Sequence, residues 1–284
     1  MAAGREAALA DPARRLRDAA EPLAMHATGS AHVRAALEEL GLDRFAGYVW
    51  GRAAVLGEPS PAVVVAAFGV FEPNRLGAVY SSAKSACPRD RLLAVREAAV
   101  AVSLRRVLGE SDVSAVVSPL LGAVSALPPG GRPLFAGLLG SPVPAQPLGR
   151  LWRACELLRE HRGDSHLKAL VARGLHPVEA NLLTELWHGL PAPAYTLTRG
   201  WSAEQAANAL ERLSSVGLVR DGRLTADGAR LRTELELETN RGERRLVEAL
   251  GADLERVVAA LDGWSTRCIA AGAFTPDPGK RAAG

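Results

Sequence analysis

Apolar residues along the chain recur mostly three and four positions apart, and the runs are broken by glycine, proline and capping residues. This spacing puts one apolar stripe on a helix and predicts a succession of amphipathic helices. The first runs from Pro12 to about His26. A second covers Ala31 to Leu40 and stops at Gly41, a residue suited to the left-handed position after a helix. Asp43 can cap a third, which ends near Gly57. Ser60-Pro61 combines a capping hydroxyl with a proline at the first helical position, and Pro73 is expected to end that helix. Pro88 opens a longer one through Val107, with Leu92, Val95, Ala99 and Val102 on its apolar face.

Two stretches, Leu127-Pro-Pro-Gly-Gly-Arg-Pro133 and Gly140-Ser-Pro-Val-Pro-Ala-Gln-Pro147, cannot continue a helix. They suggest a boundary near residue 130. Beyond them the pattern predicts helices from Leu148 to Arg162, from there to Gly174, and from Pro177 to His188. In this last helix Val178, Leu182, Leu186 and Trp187 are available for a core. Residues 1–12 read as frayed, and the Pro/Gly-rich end reads as a loose tail.

The most informative segment follows Pro177. Ser202-Ala-Glu-Gln205 has the form of a capping box and starts a helix with Ala206, Ala209, Leu210 and Leu213 on one face. Gly217 ends it. Leu218-Val219-Arg220 and Arg223-Leu224-Thr225 then read as short strands. Asp221-Gly222 between them suits a type I′ hairpin, which needs two positive φ angles. Thr225 can cap another helix. The order helix, helix, hairpin, helix is that of a winged helix.

The run from Leu210 through Val219, with Leu224-Thr-Ala-Asp-Gly-Ala229 after it, resembles the recognition helix, wing and final helix of MarR-type regulators. More widely, Phe68-Gly-Val-Phe-Glu-Pro73, Gly131-Arg-Pro-Leu-Phe135 and Leu157 through His166, with the winged segment, resemble an actinobacterial helix-turn-helix family of similar length. That second resemblance implies a fold and no particular activity. The expected architecture is mainly α, in two helical halves. The N-terminal helical domain is residues 1–130. The C-terminal one is residues 131–274, with a winged helix at about 177–250. Residues 275–284 form a disordered tail.

Composition supports helices. Of 284 residues, 48% are hydrophobic and only 5% aromatic, and the apolar set is dominated by Ala and Leu, strong helix formers. The net charge of +3 neither demands nor excludes nucleic acid. Three widely spaced cysteines form neither a disulfide framework nor a thiolate zinc motif, so free thiols are expected. The N-terminus lacks the apolar core of a signal peptide, with Arg14, Arg15 and Arg17 where it would lie. The apolar run Pro61–Phe71 is about half the length needed to cross a bilayer. A cytoplasmic protein is expected.

Phosphate binding requires several uncompensated cations. Around the predicted recognition helix the candidates for DNA contact are Arg199, Asn208, Arg212, Arg220 and Arg223. Glu204, Glu211, Asp221 and Asp227 offset them, so a winged helix used for packing or dimerisation is the competing reading. The densest polar cluster is Arg159-Glu-His-Arg-Gly-Asp-Ser-His166. As plain structure, Gly163 would end one helix and Asp164 would cap the next. As a site, His26, His161, Arg162, Asp164 and His166 are candidates for ligand binding, with Arg162 as an anion clamp. Imidazoles with a carboxylate also suit a transition metal, but the spacing matches no metal motif, and no P-loop, G-x-G-x-x-G or nucleophile elbow occurs. Three functions remain. One is a ligand-responsive transcriptional regulator, expected as a homodimer, with a small-molecule pocket between the halves. Another is a secondary-metabolism enzyme with a His/Asp/Arg pocket, metal or haem included, on a winged-helix scaffold. The last is a dimerisation module using the helices from Arg230 to Leu261.

Overall fold

The computed structural model describes the backbone of residues 2–283 and the side chains of residues 4–281. The described chain is mainly helical, with one two-stranded antiparallel sheet. The first helices are α1 (Ala2–Ala10), α2 (Pro12–Ala24), α3 (His26–Gly29), α4 (Ala31–Glu38), α5 (Arg44–Ala53), α6 (Pro61–Phe68), α7 (Pro73–Ala86) and α8 (Arg89–Leu108). Then come α9 (Ser114–Ser125), α10 (Pro133–Leu139), α11 (Pro147–Ala172), α12 (Pro177–His188), α13 (Ala194–Thr198) and α14 (Ala203–Ser215). Strands β1 (Val219–Arg220) and β2 (Arg223–Leu224) precede α15 (Ala226–Gly242), α16 (Arg244–Leu250), α17 (Leu254–Ala270) and α18 (Pro278–Ala283).

The largest core gathers apolar residues from α2 through α11 and again from α16 and α17, so it crosses the proline-rich stretch near residue 130. Leu246, Leu250, Leu254, Val257, Leu261 and Cys268 belong to it, and α17 lies along α2. The apolar faces of these C-terminal helices are therefore buried within the chain itself.

Helix α11 is the axis of the molecule. It touches α2, α8, α9, α10 and α15 and runs unbroken for 26 residues. This corrects the expected break at Gly163 and the expected capping role of Asp164. Gly163 costs only about 1 kcal/mol inside a helix. The neighbouring polar residues find tertiary partners instead of helix-end ones. Asp164 accepts from the Phe135 N–H (3.0 Å), which opens α10. His161 Nδ1 lies 2.8 Å from a Glu243 carboxylate oxygen.

Pro73 likewise starts a helix: Glu72 accepts from the Arg75 N–H (2.6 Å) and caps α7. Gly69, at φ +63°, ends α6. α1 is helical because Ala8 is buried and its carbonyl accepts from Asn240 Nδ2 (3.0 Å). α18 is tied to α2 where Arg17 donates to the Arg281 carbonyl (2.9 Å).

A second, smaller core joins α12, α14 and the hairpin through Val178, Leu182, Leu183, Trp201, Ala206, Ala209, Leu213 and Val219. Burying each of the larger side chains contributes about 1.5–3 kcal/mol. Both bonds of the capping box form: the Gln205 N–H donates to Ser202 Oγ (3.0 Å), and the Ser202 N–H donates to Gln205 Oε1 (2.8 Å). Asp221 and Gly222 take φ +51° and +69°, as a tight hairpin requires, pairing Val219 with Leu224 and Arg220 with Arg223. Thr225 caps α15 by accepting from the Gly228 N–H (3.2 Å).

The loop between α6 and α7 joins this unit to the large core. The Val70 carbonyl accepts from Asn181 Nδ2 (2.8 Å) and Trp201 Nε1 (3.0 Å), and the Glu72 N–H donates to the Arg199 carbonyl (3.0 Å).

Candidate functional site: an arginine-lined cavity and an exposed helix face

A cavity of about 130 Å³ lies where α2, α5 and α11 meet α12, α13 and α15. Long side chains on α2, α11 and α15 reach it because these helices pack side by side. Each places polar residues on the face turned toward the seam, not toward the apolar core.

Arginines dominate its wall. Glu236, on α15, accepts from Arg14 Nη1 (2.8 Å), Arg162 Nη2 (2.5 Å) and Arg232 Nη1 (2.8 Å). Burial alone would raise this carboxyl, but Arg232, Arg162 and Arg14 outweigh it and hold it well below the usual carboxylate range. Arg52 chelates Glu160 with Nε and Nη2 (2.8 and 2.7 Å), the planar fork matching both carboxylate oxygens. Arg159 bridges Glu21 (3.1 Å) and Glu160 (2.9 Å).

Arg199 donates to the Tyr195 hydroxyl (2.5 Å) and lies over the Tyr195 and Phe71 rings, 4.4 and 5.1 Å from their centroids. Arg14 and Arg17 also meet Asp18. With those two set aside, five guanidiniums (Arg52, Arg159, Arg162, Arg199 and Arg232) face three carboxylates (Glu21, Glu160 and Glu236).

The local potential is accordingly positive, and titratable neighbours register it. Burial would raise the Tyr48 phenol, yet Arg52, Arg159 and Arg199 bring it below its ordinary value. Burial, reinforced by Arg232, pushes His166 down to about 3. His166 is thus neutral. Thr239 donates its hydroxyl to the Leu235 carbonyl, so it accepts from His166 Nδ1 (3.0 Å). Among the described residues, two cavity-lining guanidiniums keep a buried nitrogen without a hydrogen-bond partner: Nη1 of Arg162 and Nε of Arg199.

Of the five residues that the sequence marks for ligand binding, Arg162 and His166 line this cavity. The other three lie elsewhere. His26 is packed in the main body with Nε2 2.8 Å from Ser103 Oγ, and burial lowers it to about 4. His161 sits edge-on to Phe135 and bonds Glu243. Burial raises the Asp164 carboxyl to about 7. Among the described residues no group of three or more His, Cys, Asp or Glu side chains could hold a metal ion. Sequence reasoning missed Arg52, Arg232 and Glu236, and it quoted Arg159 within the polar cluster without giving it a role. Nothing local marks them: the buried face of α15 also carries Thr239 and Asn240, and the chain has many ordinary surface arginines.

The five residues marked for DNA contact also divide. Asn208, Arg212, Arg220 and Arg223 are exposed on α14 and the hairpin. Arg212 is engaged by Glu179 (2.8 Å). Arg199 is in the cavity wall. All three cysteines are buried and free, and no described helix is long and apolar enough to cross a membrane.

A mainly helical chain with a helix–helix–hairpin–helix segment over a polar seam belongs among helix-turn-helix proteins in the broad sense. The particular assignment follows from the sequence as a whole: the chain belongs to the helix-turn-helix family whose model matches residues 13–275. No curated protein and no solved structure matches it.

Proposed function

We propose that the protein is a transcriptional regulator of the winged-helix type whose DNA affinity is set by a small molecule in the arginine-lined cavity. The family supports DNA binding. In this reading α14 enters the major groove with Asn208 and Arg212, and the hairpin wing brings Arg220 and Arg223 to the phosphates. The observation that carries the ligand-responsive part is the make-up of the cavity wall. Tyr48, Arg52 and Arg159 come from the body, whereas Asn181, Arg199 and Arg232 come from the segment holding the DNA face.

An occupant that contacts both sides favours one relative placement of them, and it shifts DNA affinity by its differential affinity for the two placements. The loop carrying Val70 and Glu72 lines or adjoins the cavity and holds Asn181, Trp201 and Arg199. It is the proposed link. A homodimer reading two half-sites about 34 Å apart completes the reading, and light scattering of the DNA complex tests it.

The test is selection from random duplex DNA at low salt. A recovered sequence motif whose binding is weakened in the double variant Arg220→Ala/Arg223→Ala supports the proposal. No retained DNA on any sequence would sink it. The second reading, a secondary-metabolism enzyme on the same scaffold, draws on the α14 face, where exposed Glu204 and Glu211 offset the cations. Failure of DNA selection by a protein that still binds small molecules in the cavity would favour that reading.

A further inference from the structure

We infer that the cavity is a binding site for a monocyclic aromatic carboxylate, its charge held by Arg162 and Arg199 and its ring enclosed by Tyr48, Phe68, Phe71 and Tyr195. The inference rests on the ligand-responsive reading for its biological role, but not for its chemistry.

Three independent observations support it. The first is unmet hydrogen-bonding capacity. The Arg162 side chain is only 8% exposed, and its Nη1 has no partner among the described residues. The same holds for Nε of Arg199. A buried charged donor left unpaired is costly, and an anion supplies the acceptor. The second is charge. The excess of guanidiniums over carboxylates in the wall, which lowers the Tyr48 phenol against the effect of burial, selects an anion over a neutral or cationic guest. A planar carboxylate suits the guanidinium fork.

The third is size and lining. A volume of about 130 Å³ is close to the roughly 150 Å³ that holds benzene in an apolar cavity. It accommodates one ring and a small charged group. The rings of Phe68 and Phe71 meet edge to face at 5.7 Å, Tyr48 stands edge-on to Phe68, and Tyr195 lies beneath Arg199. Aromatic walls of this kind favour a flat guest through offset and edge contacts.

Isothermal calorimetry on the full chain, with benzoate, benzamide and inorganic phosphate as probes, tests this directly. Benzoate is expected to bind at one site per chain, with benzamide and phosphate each at least about tenfold weaker, since the first lacks the charge and the second the ring. Arg162→Met and Arg199→Met are each expected to weaken benzoate by at least about tenfold, with Arg199→Lys keeping part of the affinity. Arg199 is half-buried at the cavity edge, so its variants keep the test valid if Arg162→Met does not fold, as judged by circular dichroism.

Benzamide equal to benzoate, phosphate tighter than benzoate, unaltered binding in folded Arg199→Met, or no heat with any probe would each overturn the inference. A protein that selects a DNA motif but ignores benzoate keeps the regulator and loses this ligand. One that binds benzoate but no DNA does the reverse.

Discussion

Replacing Glu236 with glutamine probes the electrostatic design most sharply. Its carboxylate is buried and accepts from three arginines on three helices, Arg14, Arg162 and Arg232. The variant keeps the shape and one oxygen, but it removes the charge and turns an amide toward a guanidinium. Breaking a buried ion pair from one side costs about 3–5 kcal/mol, because the remaining charge stays desolvated. At about 2–4 °C per kcal/mol for a chain of this size class, the melting temperature should fall by roughly 6–20 °C.

The pH dependence has a definite sign. Burial raises the Glu236 carboxyl less than Arg232, Arg162 and Arg14 lower it, so its folded value lies well below its ordinary 4.5. Its stabilisation is present above about pH 4.5 and is lost as pH falls through the folded value. The gap between wild type and Glu236→Gln should therefore narrow in acid. Benzoate should stabilise the variant more than the wild type, because the variant cavity carries one more uncompensated positive charge. Urea denaturation across pH, with and without benzoate, measures all three effects. A loss below about 1 kcal/mol at neutral pH, or a gap independent of pH, would refute the reasoning, since the network would then contribute no more than a surface pair.

Asp164 has the opposite sign. Burial raises its folded carboxyl to about 7 from an ordinary 3.8, so the stability it contributes is present below pH 3.8 and lost as pH rises through about 7. Asp164→Asn retains the acceptor for the Phe135 N–H and should equal or exceed wild type at about pH 8 in thermal denaturation; a large loss there would contradict this. Gly69→Ala should destabilise by about 1–3 kcal/mol in urea, since φ is +63° and an added Cβ would sit 2.4 Å from Leu167 Cδ2. In the regulator reading, Arg220→Ala/Arg223→Ala should lower the salt slope of DNA binding by about two and leave stability within about 0.5 kcal/mol.

The parts of this fold legible in the sequence are those set by local chemistry. Ser202 and Gln205, Asp221-Gly222 and Thr225 each act through hydrogen bonds or φ angles confined to a few residues, and all adopt the geometry that their identities dictate. Gly41 and Gly57 terminate helices for the same reason. The missed features depend on distant partners. The Arg159–His166 cluster looks like a helix end, because Gly163 and Asp164 are a stop and a cap whenever water surrounds them. In the folded chain Glu243, Glu236 and the Phe135 amide take up the polar groups, and α11 continues. The cavity was half legible. Arg162 and His166 stood out within one dense cluster, whereas Arg52, Arg199, Arg232 and Glu236 arrive from segments far apart in sequence. Helix α9 was hidden by Pro119 within it, which tertiary packing of Val116, Val117, Leu120 and Val124 offsets.

The most direct test of the account is the affinity of the full chain for a DNA sequence selected at low salt, measured with and without benzoate. The account predicts a defined motif, binding that weakens steeply with salt, and an affinity that shifts when benzoate fills the cavity. Absence of binding to any DNA at low salt, with benzoate present or absent, would contradict it.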